Sequence, residues 1–410
     1  MVSLRGYGRT YRTLSRDAKL LLLIGALESI PFGILSVGLP LYLHILGYLP
    51  VVIGSVFTVI GAVAVLLIMP FGILADRVGR RRVAMLGGFF SGAAFLLAPF
   101  AANATALYAM AVLAGLAEAL FFSTLQSLLA DATTPENRTT VFGLSFFLGA
   151  AATALGALAS ATPEILRERA GWDVVASYTP LFVGAGLALL TTPVLLSRLT
   201  VAEVRKAAGE GWLPRRSGGT IARFLVSNLI IGLGAGLIVP IFSLWFLLKY
   251  GQAEAFTGPL FALGAATNGF AYLAAPLLAQ RFGMVRTVTA LSASGTLFLV
   301  GLAFTFSLPL AAGLYLLRNM TMNMSWPIMS SFLMGVVEPS ERSSASAVVG
   351  LSFRLPFAVS TAFGAAMMAQ QVDSPLMVTA LLYAVGTTAY FAFFRKVPEP
   401  RPAGATSAVD

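Results

Sequence analysis

Four ionisable residues stand inside long apolar runs of this 410-residue chain: Glu28, Glu118, Arg318 and Arg354. A charge in a hydrocarbon setting costs several kcal/mol, so residues kept there are functional candidates by default. A carboxyl group withdrawn from water favours its neutral form and can load a proton or hold a cation. A guanidinium stays charged and offers a planar fork for carboxylate or phosphate. Two chemistries follow. Glu28 and Glu118 are candidate proton or cation sites. Arg318 and Arg354 are candidate anion sites, or partners of the acids across a shared space. The plainer reading of all four is a set of static ion pairs holding helices together.

Other groups in the same runs are weaker candidates. Asn228, Asn268, Asn319, Asn323 and Gln126 can line a cavity, although hydrogen bonding between helices is the commoner role of such residues. Trp245, with Phe242, Phe121 and Phe122, can wall an apolar pocket; packing or lipid contact is the commoner role. Met320, Met322 and Met324 fall on different faces of a helix, and no cysteine supports a soft-metal path, so they read as pliant apolar filler. The only histidine, His44, reads as an interfacial residue. No metal site and no cofactor is expected.

These residues must be positioned by membrane spans. The chain is 58% hydrophobic and 11% charged, whereas a soluble domain carries about 25% charged residues. Lipid is therefore its main solvent. A span needs roughly 20 apolar residues, and twelve runs qualify, near 19–45, 50–75, 83–101, 104–130, 138–162, 176–197, 220–248, 254–280, 287–306, 308–335, 344–369 and 375–395. They are too long and too evenly apolar for barrel strands, so each is predicted to be a helix. The net charge of +10 does not point to nucleic acid, because its placement is topological. Of 27 Lys and Arg, 22 fall in the terminal arms and the even-to-odd loops, three in the opposite loops (Arg167, Arg169, Lys249) and two inside spans. The positive-inside rule then predicts both termini in the cytoplasm of a multi-pass cell-membrane protein. Residues 1–18 form an N-terminal arm with an uncleaved first span after it, 198–219 a linker between halves, and 397–410 a Pro-rich disordered tail.

The chain repeats itself. A shift of 204 residues lays Asp76-Arg77-Val78-Gly79 over Gln280-Arg281-Phe282-Gly283, and Pro135-Glu136-Asn137-Arg138 over Pro339-Ser340-Glu341-Arg342. Gly143-Leu144-Ser145-Phe146 answers Gly350-Leu351-Ser352-Phe353 slightly further on. Two six-span halves, 19–197 and 220–396, are therefore predicted to be copies of one unit. Prolines punctuate the spans: Pro31, Pro327 and Pro356 release the carbonyls of Leu27, Asn323 and Ser352, and Pro240 follows Gly232, Gly234 and Gly236.

Between the second and third runs stands Gly72-Ile73-Leu74-Ala75-Asp76-Arg77-Val78-Gly79-Arg80-Arg81-Arg82. This stretch resembles the signature loop of the major facilitator superfamily, G-x-L-a-D-r-x-G-r-r/k, with every fixed position present. The resemblance covers about 15–397 through topology, duplication and this loop. It implies an all-α membrane protein of twelve transmembrane helices in two pseudo-symmetric six-helix bundles, with a solute site near the midplane between them. It also implies that spans 1, 4, 7 and 10 line the cavity, with 2, 5, 8 and 11 behind them. All four buried charges can then face one space, and Arg354, on span 11, is the most structural of them. By the same resemblance Asp76 clamps the ends of the two halves, with Arg77, Arg80 and Arg138 as partners, while Gly72 and Gly79 permit close approach and a tight turn.

The implied function is secondary active transport of a small organic solute by alternating access, with proton coupling and a lean to efflux of amphipathic, drug-like compounds. The alternatives are proton-coupled uptake of an organic anion on Arg318 and Arg354, or movement of lysolipid-like amphiphiles. The subfamily stays open: Ala111–Ala119 holds no arginine, and Gly149 and Gly156 stand among alanines without the proline of drug antiporters. No nucleophile, base or ligand cluster suggests an enzyme, and no G-x-x-x-x-G-K-[ST] loop suggests ATP. The resemblance implies a monomer.

Overall fold

The computed structural model describes residues 11, 13–200, 217–338 and 341–399. The first ten residues, most of the 198–219 linker, the tail from 400, and the side chains of Asp76, Phe122 and Arg138 lie outside the described residues.

Among the described residues every predicted span is helical. Span 1 is divided into α1 (Arg16–Leu27) and α2 (Ile30–Ile45); then follow α3 (Pro50–Val78), α4 (Arg80–Leu97), α5 (Ala104–Asp131) and α6 (Pro135–Ala159). A short α7 (Thr162–Ala170) precedes α8 (Val174–Ser197). The second half begins with span 7, divided into α9 (Gly218–Ile238) and α10 (Phe242–Tyr250), and continues with α11 (Glu254–Phe282), α12 (Met284–Phe304), α13 (Leu308–Val336), α14 (Arg342–Gln370) and α15 (Ser374–Phe394). Ten spans are long and apolar enough to cross a membrane on those criteria alone. α11 and α13 complete the twelve, each 29 residues long, and α13 is made more polar by Arg318, Asn319, Thr321, Asn323 and Ser325.

The four prolines act differently. Pro31 coincides with a break at Glu28–Ser29, and Pro240 with a 3-10 turn over Val239–Ile241. Pro327 and Pro356 sit inside continuous helices. A proline near the first turn of a new helix lacks an N–H that would be unpaired there anyway, which is why a break settles at such a site.

The chain forms two compact units. One comprises residues 1–208 with 240–266 and 361–372; the other comprises 209–239, 267–360 and 373–410. The first unit therefore holds the opening six spans together with α10, the first part of α11 and the last part of α14.

The sequence repeat reappears in the packing. In the first unit, Gly33 of α2 lies so close to α6 that a Cβ would overlap the carbonyl of Thr153 and the backbone at Gly156 and Ala157. In the second, Gly236 of α9 lies equally close to the carbonyl of Phe357 and the hydroxyl of Ser360 on α14. Thr153 and Phe357 are 204 positions apart, as are Gly156 and Ser360. Small residues let helix backbones meet where lipid supplies no hydrophobic drive. The two signature-type turns also correspond. Gly79, at φ 112°, is the whole connection between α3 and α4, and Gly283, at φ 87°, is that between α11 and α12. Only glycine enters this backbone region without strain.

Candidate functional site

Glu28 caps α1 at the break in span 1. Its carboxyl meets the hydroxyls of Ser91 on α4 and Thr192 on α8. Neither Oε1 of Glu28 nor Oγ1 of Thr192 closes a hydrogen bond, so the groups approach without pairing. On the other side of the break, Thr153 of α6 donates to the Ser29 carbonyl at 3.1 Å, and Ser29 donates to Gly25 at 2.7 Å. The acid is thus held between spans of its own unit. Glu118 is half-buried on α5.

Arg318 is 4% exposed on α13. Its Nη2 donates to the Tyr383 hydroxyl of α15 at 2.8 Å, and the guanidinium lies 5.8 Å from the centre of that ring. The ring in turn packs beside Gly234 of α9. The phenol oxygen partly replaces the water that the guanidinium lost, and the ring face attracts the cation. Arg354 is half-buried on α14.

Three of the candidate asparagines come together. Asn319 donates to Asn268 of α11 at 3.4 Å, and Asn323 donates to the carbonyl and side-chain oxygens of Asn319 at 2.7 and 3.0 Å. Asn228, on α9, is 1% exposed, and neither atom of its amide finds a partner. Gln126 has a buried Oε1 without a partner. Trp245 is fully enclosed, with Phe242, Phe246 and Tyr250 around it.

At the signature turn, Arg80 pairs with Asp131 at the end of α5 at 2.7 Å. Arg81 donates to the carbonyls of Ser197 and Leu199 at the end of α8. Arg77 is exposed, and Gly72 has nothing within 4 Å of the place its Cβ would take. At the opposite end of the same unit, Arg167 of α7 pairs with Glu254 at the start of α11 at 3.1 Å. Glu254 is 0% exposed, and Glu164 accepts from the Ala255 amide beside it.

Sequence reasoning missed Ser91, Thr192, Tyr383, Asp131 and the Arg167–Glu254 pair. Hydroxyls and phenols in apolar runs carry no pattern of their own. Glu254 opens its span, where an acid reads as a loop charge; a carboxylate in the first turn of a helix was the available signal.

The profile of the Major Facilitator Superfamily matches residues 21–223. The chain belongs to the major facilitator superfamily. No curated protein matches it by sequence. Solved structures of that fold do match over nearly its whole length. A mutant of the nucleoside transporter NupG covers 92% of this chain and 100% of its own at 13% identity and a TM-score of 0.74. A bacterial homologue of the human lysosomal transporter Spinster, inward-facing and occupied, covers 92% and 96% at 14% identity and a TM-score of 0.74. The human organic anion transporter MFSD10 covers 92% and 99% at 15% identity and a TM-score of 0.66. At such identities the likeness is one of fold. Membership in the superfamily makes the chain a membrane-embedded transporter of some small solute.

Proposed function

We propose that this superfamily member exports small amphipathic organic solutes across the cell membrane in exchange for protons, with both termini cytoplasmic. The observation that carries the reading is the setting of its acids: Glu28 at a break in span 1 and Glu118 on span 4 are the acids embedded in the first six spans, among otherwise apolar residues. An embedded carboxyl that gains and loses a proton changes the cost of its own burial, and that difference can drive alternation between two states. The few polar groups near these acids suit a solute bound mainly by apolar contact. Asp76 is the latch residue in this reading, with Arg77, Arg80 and Arg138 around it.

Export is tested in proteoliposomes by following a fluorescent lipophilic cation under an imposed pH gradient, alongside thermal stabilisation by the same compound at pH 5.5 and 8. Glu118→Gln is expected to abolish gradient-driven movement while the protein stays folded. Unchanged transport in both Glu118→Gln and Glu28→Gln overturns proton coupling through these acids. A second reading, uptake of an organic anion, is favoured by the buried guanidinium of Arg318 and by the fold shared with an organic anion transporter. Stabilisation by anions that vanishes in Arg318→Ala selects it.

A further inference from the structure

We propose that Glu28, Ser91 and Thr192 form a binding site for one hard monovalent cation, sodium, inside the first unit between spans 1, 3 and 6. The proposal deepens the coupling role given to Glu28 above and rests on it only for the step from binding to transport.

The three side chains come from three helices held close by glycines. A Cβ on Gly88 of α4 would press on Thr192 and Pro193, and one on Gly92 would meet Leu190 and the Gly186 carbonyl of α8. That contact brings the backbones of α4 and α8 together at the level of Ser91 and Thr192. Both residues are buried, at 6% and 0% exposure. Glu28 reaches them from the break between α1 and α2.

Thr192 behaves unlike its neighbours. Thr179, Thr191 and Ser197 on the same helix each return their hydroxyl to a carbonyl three or four residues back. That bond is the usual resting place of a hydroxyl in an apolar helix. The Thr192 hydroxyl makes no such bond, and Oε1 of Glu28 likewise makes none. A buried carboxylate oxygen and a buried hydroxyl, both left unpaired on residues that meet, mark a place where a third group belongs.

Two carbonyls without helical donors lie close by in sequence. Pro193, inside α8, has no N–H, so the carbonyl of Leu189 loses its helical donor, and Leu27, the last residue of α1, ends that helix with a carbonyl that no helical N–H reaches. Leu27 immediately precedes Glu28, and Leu189 lies one turn from Thr192 on the same face. One carboxylate and two hydroxyls make an all-oxygen donor set, which suits a hard cation.

The charge selects the valence. Along α1, α4 and α8 the nearest basic residues are Lys19, Arg82 and Arg198, which are 9, 9 and 6 positions from Glu28, Ser91 and Thr192. At the helical rise these are about 14, 14 and 9 Å away along the axes, and Arg82 and Arg198 are exposed. No group of three acidic, histidine or cysteine side chains occurs among the described residues. A single negative charge is balanced by a single positive one, so a divalent ion would leave net charge buried.

The test uses the purified full-length protein in detergent at pH 8, with melting followed in sodium, lithium, potassium or choline chloride at constant ionic strength. The expected result is a rise in Tm of a few degrees that is saturable in sodium and absent in choline. It is lost in Glu28→Gln and reduced in Thr192→Val and Ser91→Ala, which keep the local volume. A sodium effect that persists in Glu28→Gln overturns the site. So does an acid-induced rise in Tm with no difference between sodium and choline, which makes Glu28 a proton site and leaves the export reading standing. Sodium stabilisation of the parent protein that is lost in Glu28→Gln, while that variant still transports normally, supports the site and sinks its coupling role.

Discussion

The pair between Arg167 and Glu254 is the contact whose loss has the most definite consequence. Arg167 sits on the short α7, and Glu254 opens α11 with a side chain that is 0% exposed, against 19% for Arg167. Removing one partner of a buried pair strands the other, at about 3–5 kcal/mol. Because water reaches Arg167, the lower figure applies, about 3 kcal/mol. In the alternating reading proposed above, α7 separates from α11 in one state, so that energy weighs on one state only. At 1.4 kcal/mol per tenfold, about 3 kcal/mol shifts the equilibrium by about a hundredfold. The chain contains no cysteine, so a single Ala161→Cys, beside Gly258 at this contact, reports opening without background. A membrane-impermeant maleimide is expected to label it many times faster in Arg167→Ala and in Glu254→Gln. Arg167→Ala also removes the stacking on Tyr178, where the guanidinium lies 5.4 Å from the ring centre; Glu254→Gln leaves that stacking in place and isolates the pair. The double variant strands neither charge and is expected to label more slowly than the sum of the two effects implies. Labelling rates within twofold of the parent in both single variants refute the reasoning.

Two further outcomes follow from packing. Gly236→Leu forces a side chain into the Phe357 carbonyl and the Ser360 hydroxyl, so it is expected to abolish monodisperse protein on size exclusion, whereas Gly313→Leu, which has open space around it, is tolerated. Tyr383→Phe keeps the ring under the Arg318 guanidinium and removes the oxygen that it donates to; a lost hydrogen bond to a charged group costs about 1.5–3 kcal/mol, read as a lowered Tm, and an unchanged Tm contradicts the role given to that phenol.

Much of the fold was legible in the chain because its causes are local. Apolar length defined the helices, and the 204-residue offset reappeared in the contact partners Thr153 and Phe357 and in the one-residue turns at Gly79 and Gly283. Pro31 and Pro240 marked real breaks, since a missing N–H and a fixed φ act on the backbone at once. Pro327 and Pro356 did not, because the backbone around them stays helical. The embedded charges could be found by composition alone.

Their surroundings could not. The partner of Arg318 lies 65 positions away on α15, and that of Arg167 lies 87 positions away on α11. In lipid both the outward and the inward faces of a helix are apolar, so no polar stripe records which side meets which neighbour. The sequence by itself determined twelve apolar helices, two repeated halves, the turn at Gly79 and the four charges that lipid cannot solvate. Tertiary structure decided that Glu28 meets Ser91 and Thr192, that Arg318 meets a phenol, and that Asn268, Asn319 and Asn323 join, because those choices depend on how small residues let particular helix faces close together.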